Sequence, residues 1–199
     1  MDANVSRVTV SDERLVEAAR QGELGAFEEL VARHRDKVYA RIMTMMRNED
    51  DAIELTQEAW VKAWQRLHQF QGGSSFSTWI TRIAINLCLD ELRKRQRRPT
   101  DSLEQLELEH GGMDRRLPPV IADPAEPIER EELRKAIETA IAQLSPTHRT
   151  VLVLHEFEEM AYKEIAGLMG CSVGTVMSRL FYARKHMAAL LTDQGACPG

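Results

Sequence analysis

The sequence predicts an all-α protein: two small helical domains joined by an acidic, Pro-containing linker, with a C-terminal helix-turn-helix. Three observations predict this. Apolar residues recur at helical spacing through most of the 199 residues. No stretch of useful length alternates as a half-buried strand would, and no internal repeat is visible. Residues 99–127 break the periodicity with five prolines, a glycine pair and mostly acidic charge, the composition of a flexible linker. The expected domains are therefore 1–98 and 128–194, each large enough for a modest core.

The elements follow in order. Asp12 to Arg20 reads as a short helix with acidic residues in its first turn, where they complement the helix dipole. Gly22 and Gly25 separate it from a long amphipathic helix, Leu24 to Met46, with Phe27, Leu30, Val31, His34, Val38, Ile42, Met45 and Met46 on one stripe. Asn48 can cap the next helix, in which Ala52, Leu55, Ala59, Ala63 and Leu67 face inward with Trp60 and Trp64 nearby. The loop HQFQGGSS leads into a helix from about Phe76 to Arg95. Beyond the linker, Leu133, Ala136, Ile137, Ala140, Ile141 and Leu144 mark a helix that stops at Ser145-Pro146, a cap followed by a favoured first-turn proline. Val151 to Phe157 continues the helix that Pro146 opens.

The segment YKEIAGLMGCSVGTVMSRLFYARKHM holds two helical patterns separated by GCS. Ile165, Ala166 and Met169 face inward on the first; Val173, Val176, Leu180, Ala183 and Met187 do so on the second. Ala166 permits a close crossing and Gly170 supplies the turn, which makes a helix-turn-helix. On the outer side Thr175, Ser178, Tyr182 and Lys185 lie opposite the buried stripe, with Arg179 and Phe181 on the flanks. Hydroxyls, basic groups and an exposed aromatic pair suit base edges and phosphates in a major groove better than they suit a merely solvated face. Tyr162 and Lys163, at the start of the first helix, are placed to hold a phosphate.

Composition narrows the function classes. The net charge of -5 counts at first against nucleic acid, but residues 99–132 hold 3 Lys/Arg against 10 Asp/Glu, leaving near-neutral flanks with local basic clusters such as RKRQRR, 93–98. Cys88, Cys171 and Cys197 show no zinc spacing; the first two read as buried thiols and the third as exposed. Neither a metal nor a cofactor is expected. No nucleophile–base order, phosphate-cradling glycine loop or paired-carboxylate pocket stands out, so the chain is not read as an enzyme. No apolar run approaches the ~20 residues of a membrane span, and MDANVSRVTVSDER lacks a signal peptide's apolar core, so a cytoplasmic setting is expected.

Two features of the first domain carry chemistry. DDAIELTQEAWVKAW turns Asp51, Glu54 and Glu58 away from its apolar stripe; such a face repels phosphate and is either solvated charge or a docking surface for a protein. FQGGSSFSTWITRIAINLCLDELRKRQRR places a Gly/Ser loop between Phe70 and Phe76, then Trp79, Arg82, Asn86 and Arg93 along one side of a helix. Aromatic rings beside cations are what single-stranded DNA binding uses, although Phe76 itself reads as core.

With these motifs in this order, the chain from about Asp12 to Leu191, the linker excepted, resembles the extracytoplasmic-function group of bacterial RNA polymerase sigma factors, the small members with domains 2 and 4 only. DDAIELTQEAWVKAW resembles the segment that binds core polymerase, FQGGSSFSTWITRIAIN the promoter-melting and -10 segment, and LSPTHRTVLVLHEFEEMAYKEIAGLMGCSVGTVMSRLFYARKHM the -35 reader. The resemblance implies partners: core RNA polymerase through its β′ coiled coil and β subunit, promoter DNA, and an anti-sigma factor that could hold the chain at the inner membrane without membrane insertion of its own. It implies that Asp51, Glu54, Leu55, Gln57 and Glu58 grip the coiled coil. Phe70, Ser74 and Ser75, with Ile83 behind them, match a pocket for a flipped -10 base, and Arg82 and Asn86 match residues facing -10 DNA. Ser178, Phe181 and Tyr182 match -35 readers, with Arg184 and Lys185 near the backbone. Met177 and Tyr182 stand where relatives often carry Arg or Lys, so two guanine contacts are absent. By analogy the linker threads into the polymerase, or it is a plain tether. A stand-alone helix-turn-helix regulator is the alternative; it leaves the acidic helix and the aromatic loop unexplained.

Overall fold

The computed structural model describes residues 10–96 and 127–193. The linker 99–127, apart from Pro127, lies outside the described residues, as do Arg97, Arg98 and Cys197. The chain divides into two compact units, Met1–Met43 with Asn48–Leu87, and Thr44–Arg47 with Cys88–Gly199. All regular structure among the described residues is helical.

The N-terminal helices are α1 (Asp12–Arg20), α2 (Leu24–Met46), α3 (Glu49–Arg66), a 3-10 turn (Leu67–Gln69) and α4 (Phe76–Gln96). Their starts follow local chemistry. Asn48 Oδ1 accepts from the Asp51 backbone N–H at 2.9 Å, satisfying one of the donors that a helix start leaves over. The expected stripe of α3 is buried throughout, from Ala52 through Leu55, Ala59 and Ala63 to Leu67. Leu30, Val38, Ile42, Ile80 and Ile85 complete the centre of the core. Asp12 ties α1 to α2, taking Arg33 Nη1 at 3.2 Å on one oxygen and meeting His34 Nε2 at 2.7 Å on the other.

The C-terminal helices are α5 (Pro127–Gln143), α6 (Pro146–Leu152), a π turn (Val153–Phe157), α7 (Tyr162–Met169) and α8 (Val173–Asp193), and α8 packs against α5, α6 and α7. Ser145 Oγ accepts from His148 N–H at 3.4 Å with Pro146 in the first turn, as its cap pattern predicts. Arg149 then folds back on the preceding helix: its guanidinium donates to the carbonyls of Ile141, Ala142 and Leu144 at 3.1, 3.0 and 2.7 Å. Those of Ala142 and Leu144 lie where a helix end leaves carbonyls over, while that of Ile141 also accepts the Leu144 N–H at 3.2 Å. Burial pushes Arg149 down to about 10, so it remains charged at neutral pH while it solvates them.

One element differs from expectation. The helix read as continuous through Phe157 widens at Val153, where Glu158 N–H reaches back five residues to the Val153 carbonyl at 3.3 Å. Val151, Leu152, Val153 and Leu154 are all buried, more consecutive positions than an α-helical stripe covers, and the widened turn is how the segment accommodates them.

Candidate nucleic-acid and partner surfaces

α7 and α8 meet at 101°, the crossing of a helix-turn-helix. Gly170 sits between them at φ 64, a left-handed conformation that side-chain-bearing residues rarely adopt. Ser172 starts α8: its Oγ accepts from Thr175 N–H at 3.0 Å and shares a hydrogen with Thr175 Oγ1 at 2.8 Å. Val176, Leu180 and Ala183 are buried and seat the helix, with Met187 half-buried. Val173 was expected to face inward and does not; it is 40% exposed, whereas Val176, three residues on, is fully buried.

On the outer side, Lys185 is exposed and Ser178 half-buried. Phe181 and Tyr182 are half-buried rather than fully exposed, meeting edge to face with centroids 5.4 Å apart. Arg179 is half-buried and its Nε is enclosed without a hydrogen-bond partner. Arg184 Nε binds Glu156 Oε1 at 2.9 Å, so part of its charge is engaged within the domain. Thr175 uses its hydroxyl on Ser172. At the start of α7, Lys163 is exposed, and Tyr162 is half-buried with its ring 4.9 Å from His155. Cys171 is half-buried, not buried like Cys88, since it lies in the turn.

The loop before α4 is built on aromatic rings. Phe70 and Phe76 are buried and meet at 6.1 Å, Trp79 lies 5.3 Å from Phe70 and 5.7 Å from Phe76, and His34 lies 5.6 Å from Phe76. Trp79 is only half-buried, so one wall of the cluster meets solvent. Arg20, which no sequence pattern marks as functional, fixes where the loop begins. It donates to the Leu67, His68 and Phe70 carbonyls at 3.3, 3.2 and 2.5 Å. Gly72, at φ 74, makes the reversal. Ser75 caps α4, accepting from Thr78 N–H at 3.1 Å, and Ser74 is half-buried beside it. Along α4, Arg82, Asn86 and Arg93 are exposed, Arg93 pairs with Asp90 at 2.8 Å, and Ile83 is buried beneath.

The acidic face of α3 is real but mixed. Glu54, Gln57 and Glu58 are exposed, Asp51 is half-buried, Leu55 belongs to the core, and Glu58 pairs with Lys62 at 2.8 Å. Ile53, Val61 and Trp64, which sequence reasoning did not assign to this face, are exposed large apolar residues on the same helix. Trp64 also leans on Phe27 at 4.9 Å. The signal was present as apolar residues off the Ala52–Leu67 stripe. Such a face, apolar patches among carboxylates, suits a protein partner better than phosphate.

Among the described residues no three His, Cys, Asp or Glu side chains gather as metal ligands, and no single helix is long and apolar enough to cross a membrane. Comparison with known proteins gives two family matches, sigma-70 region 2 over residues 30–98 and sigma-70 region 4 over residues 134–187. The RNA polymerase sigma-H factor of Pseudomonas aeruginosa is 39% identical over 180 residues, covering 87% of this chain and 90% of that protein. The ECF RNA polymerase sigma-E factor of Escherichia coli K12 is 36% identical over 180 residues, covering 88% and 92%. Among solved structures, CnrH in complex with the cytosolic domain of CnrY aligns with a TM-score of 0.52 at 26% identity, over 92% of this chain and 97% of that one. The sigma factor RpoE in complex with the anti-sigma factor NepR from Bartonella quintana aligns at 0.50 and 22% identity, over 83% and 96%, a likeness of fold.

Proposed function

Since the chain belongs to the extracytoplasmic-function group of the bacterial sigma-70 family, we propose that it directs core RNA polymerase to specific promoters and helps open them. It works under the control of an anti-sigma factor, in the cytoplasm, and catalyses nothing itself. The observation that carries this reading is the presence, in one chain, of three surfaces with different chemistry: an aromatic-walled loop, a helix-turn-helix and an acidic, partly apolar helix face.

Residues 1–98 act as sigma domain 2, 99–127 as the linker and 128–194 as sigma domain 4. Exposed Glu54, Gln57 and Glu58 of α3, with Asp51 at their side and Leu55 holding the helix in place, meet the β′ coiled coil; Ile53, Val61 and Trp64 add apolar area to that contact. Extracting a base from the -10 duplex costs a few kcal/mol, which a ready pocket offsets. Phe70 and Ile83 form the floor of that pocket, and Ser74 and Ser75 its rim. Trp79, Arg82, Asn86 and Arg93 follow the -10 strand along α4. Ser178, Phe181 and Tyr182 read the -35 groove, while Tyr162, Lys163, Thr175, Arg179, Arg184 and Lys185 hold its backbone. Arg179 is half-buried, so its guanidinium brings positive charge to that backbone contact, although its Nε is enclosed.

Transcription by purified core polymerase, with and without the protein, tests the reading. Promoter-specific initiation is expected only when the protein is added. Glu54→Lys with Glu58→Lys, both on exposed positions, is expected to weaken core binding at least tenfold with the helical circular dichroism unchanged; buried opposite charges that lose their partner cost ~2–5 kcal/mol at interfaces. Initiation no better than core alone, together with tight duplex binding by the free protein, would instead identify a stand-alone regulator.

A further inference from the structure

The most exposed large apolar side chain on α8 is Met177, at 53%, and it does not stand alone. Val173 is one turn before it, at 40%, and half-buried Phe181 one turn after, so the three form an apolar row along the first half of the helix, beside Ser178. The row has no packing role for Met177 to serve: Val176, Leu180 and Ala183 seat the helix. From Val173 to Thr192 the helix carries no acidic residue, while Arg179, Arg184 and Lys185 are on it; its one carboxylate, Asp193, is at the far end from this row.

In a helix-turn-helix the N-terminal part of the second helix enters the major groove. Polar and charged edges dominate there, and the one apolar group that a base pair presents is the thymine 5-methyl. Resting on the -35 reading above, we propose that Met177, backed by Val173, reads a thymine methyl in the -35 duplex. The unbranched thioether can adapt to a methyl within reach. The preference at that base pair is then set by an apolar contact and not by a guanine-specific fork of hydrogen bonds.

The test uses the full chain bound to core polymerase. A -35 element is selected from a randomised duplex, and each thymine on either strand is replaced in turn by deoxyuridine, which lacks only the methyl. At one position deoxyuridine is expected to weaken binding about fourfold, the value of one buried methyl. Met177→Ala should bind thymine and deoxyuridine equally at that position, and Met177→Arg should move its preference to guanine. Equal binding of thymine and deoxyuridine at every position by the wild type overturns the proposal, as does discrimination that survives in Met177→Ala. In both cases promoter-specific initiation persists and the sigma reading stands. A holoenzyme that selects no -35 sequence at all removes that reading and the proposal with it.

Discussion

The two helices that carry the candidate DNA contacts begin alike and are braced differently. α4 and α8 each start at a serine whose Oγ takes the backbone N–H three residues on and shares a hydrogen with a threonine hydroxyl at the same place: Ser75 with Thr78 at 3.1 and 2.9 Å, Ser172 with Thr175 at 3.0 and 2.8 Å. Each domain also turns an arginine onto carbonyls at helix ends, three for Arg20 and four for Arg149, the fourth being that of Met45 at 3.3 Å. In the C-terminal domain Arg149 is buried and closes α5 within the scaffold under the helix-turn-helix. In the N-terminal domain Arg20 is about one-third exposed and closes the 3-10 turn from which the aromatic loop departs. The same chemistry therefore supports a rigid reading helix in one domain and a positioned loop in the other. Losing it should unfold the first and misplace the second.

Arg149→Met makes the largest difference. It takes the guanidinium donor from the Ala142, Leu144 and Met45 carbonyls, at ~1–3 kcal/mol each, while Ile141 keeps the Leu144 N–H; the loss is partly offset because a guanidinium need no longer be buried without a carboxylate. A net loss of about 3 kcal/mol is expected in the C-terminal domain. All three tryptophans, Trp60, Trp64 and Trp79, lie on α3 and α4, so tryptophan fluorescence follows the N-terminal domain while circular dichroism follows both. In urea the dichroism transition should shift for Arg149→Met and the fluorescence transition should shift less, only through the lost donor to the Met45 carbonyl at the end of α2. A fluorescence shift of equal size would show that the two units unfold together.

Arg20→Met keeps most of the apolar stem and removes only the donors. Its partners are closer to solvent and can take up water, so the stability loss should be about 1 kcal/mol, seen by fluorescence. The functional loss should exceed it. With Phe70 no longer pinned through its carbonyl, holoenzyme affinity for a single-stranded -10 oligonucleotide is expected to fall about tenfold, within the ~1–3 kcal/mol of one base stack. Binding to core polymerase and to a -35 duplex should stay as in the wild type. An equal decline in all three would make Arg20 a plain structural residue.

The contrast also marks what the sequence could disclose. Helix limits were legible because their signals are local: Asn48, Ser145-Pro146 and Gly170 act on backbone groups within a few residues. The two arginine braces were not, since a guanidinium aimed at carbonyls 47 to 50 residues away, as in Arg20, leaves no periodic trace. Periodicity likewise assumes that a helix is covered along its whole length. It therefore put Val173 inside, though it is 40% exposed, and did not assign Ile53, Val61 and Trp64 to the outer face of α3. The outer residues of α8 were identifiable by position, but not that Thr175 and Arg184 already have partners within the domain.

The two serine caps offer the smallest and most discriminating change. Ser75→Ala and Ser172→Ala should each cost about 1 kcal/mol, since both remove an oxygen acceptor from a first-turn N–H. For Ser172 the loss should appear in dichroism, for Ser75 in fluorescence. Asparagine caps as well as serine does, so Ser75→Asn and Ser172→Asn should restore stability in both domains while removing the hydroxyl. At Ser75 the hydroxyl already takes part in two hydrogen bonds that place α4 against the loop. We therefore expect Ser75→Asn to recover most of the oligonucleotide affinity that Ser75→Ala loses. Stability restored without affinity would mean instead that this oxygen touches the captured base directly, and that the resemblance of the two caps ends at the backbone.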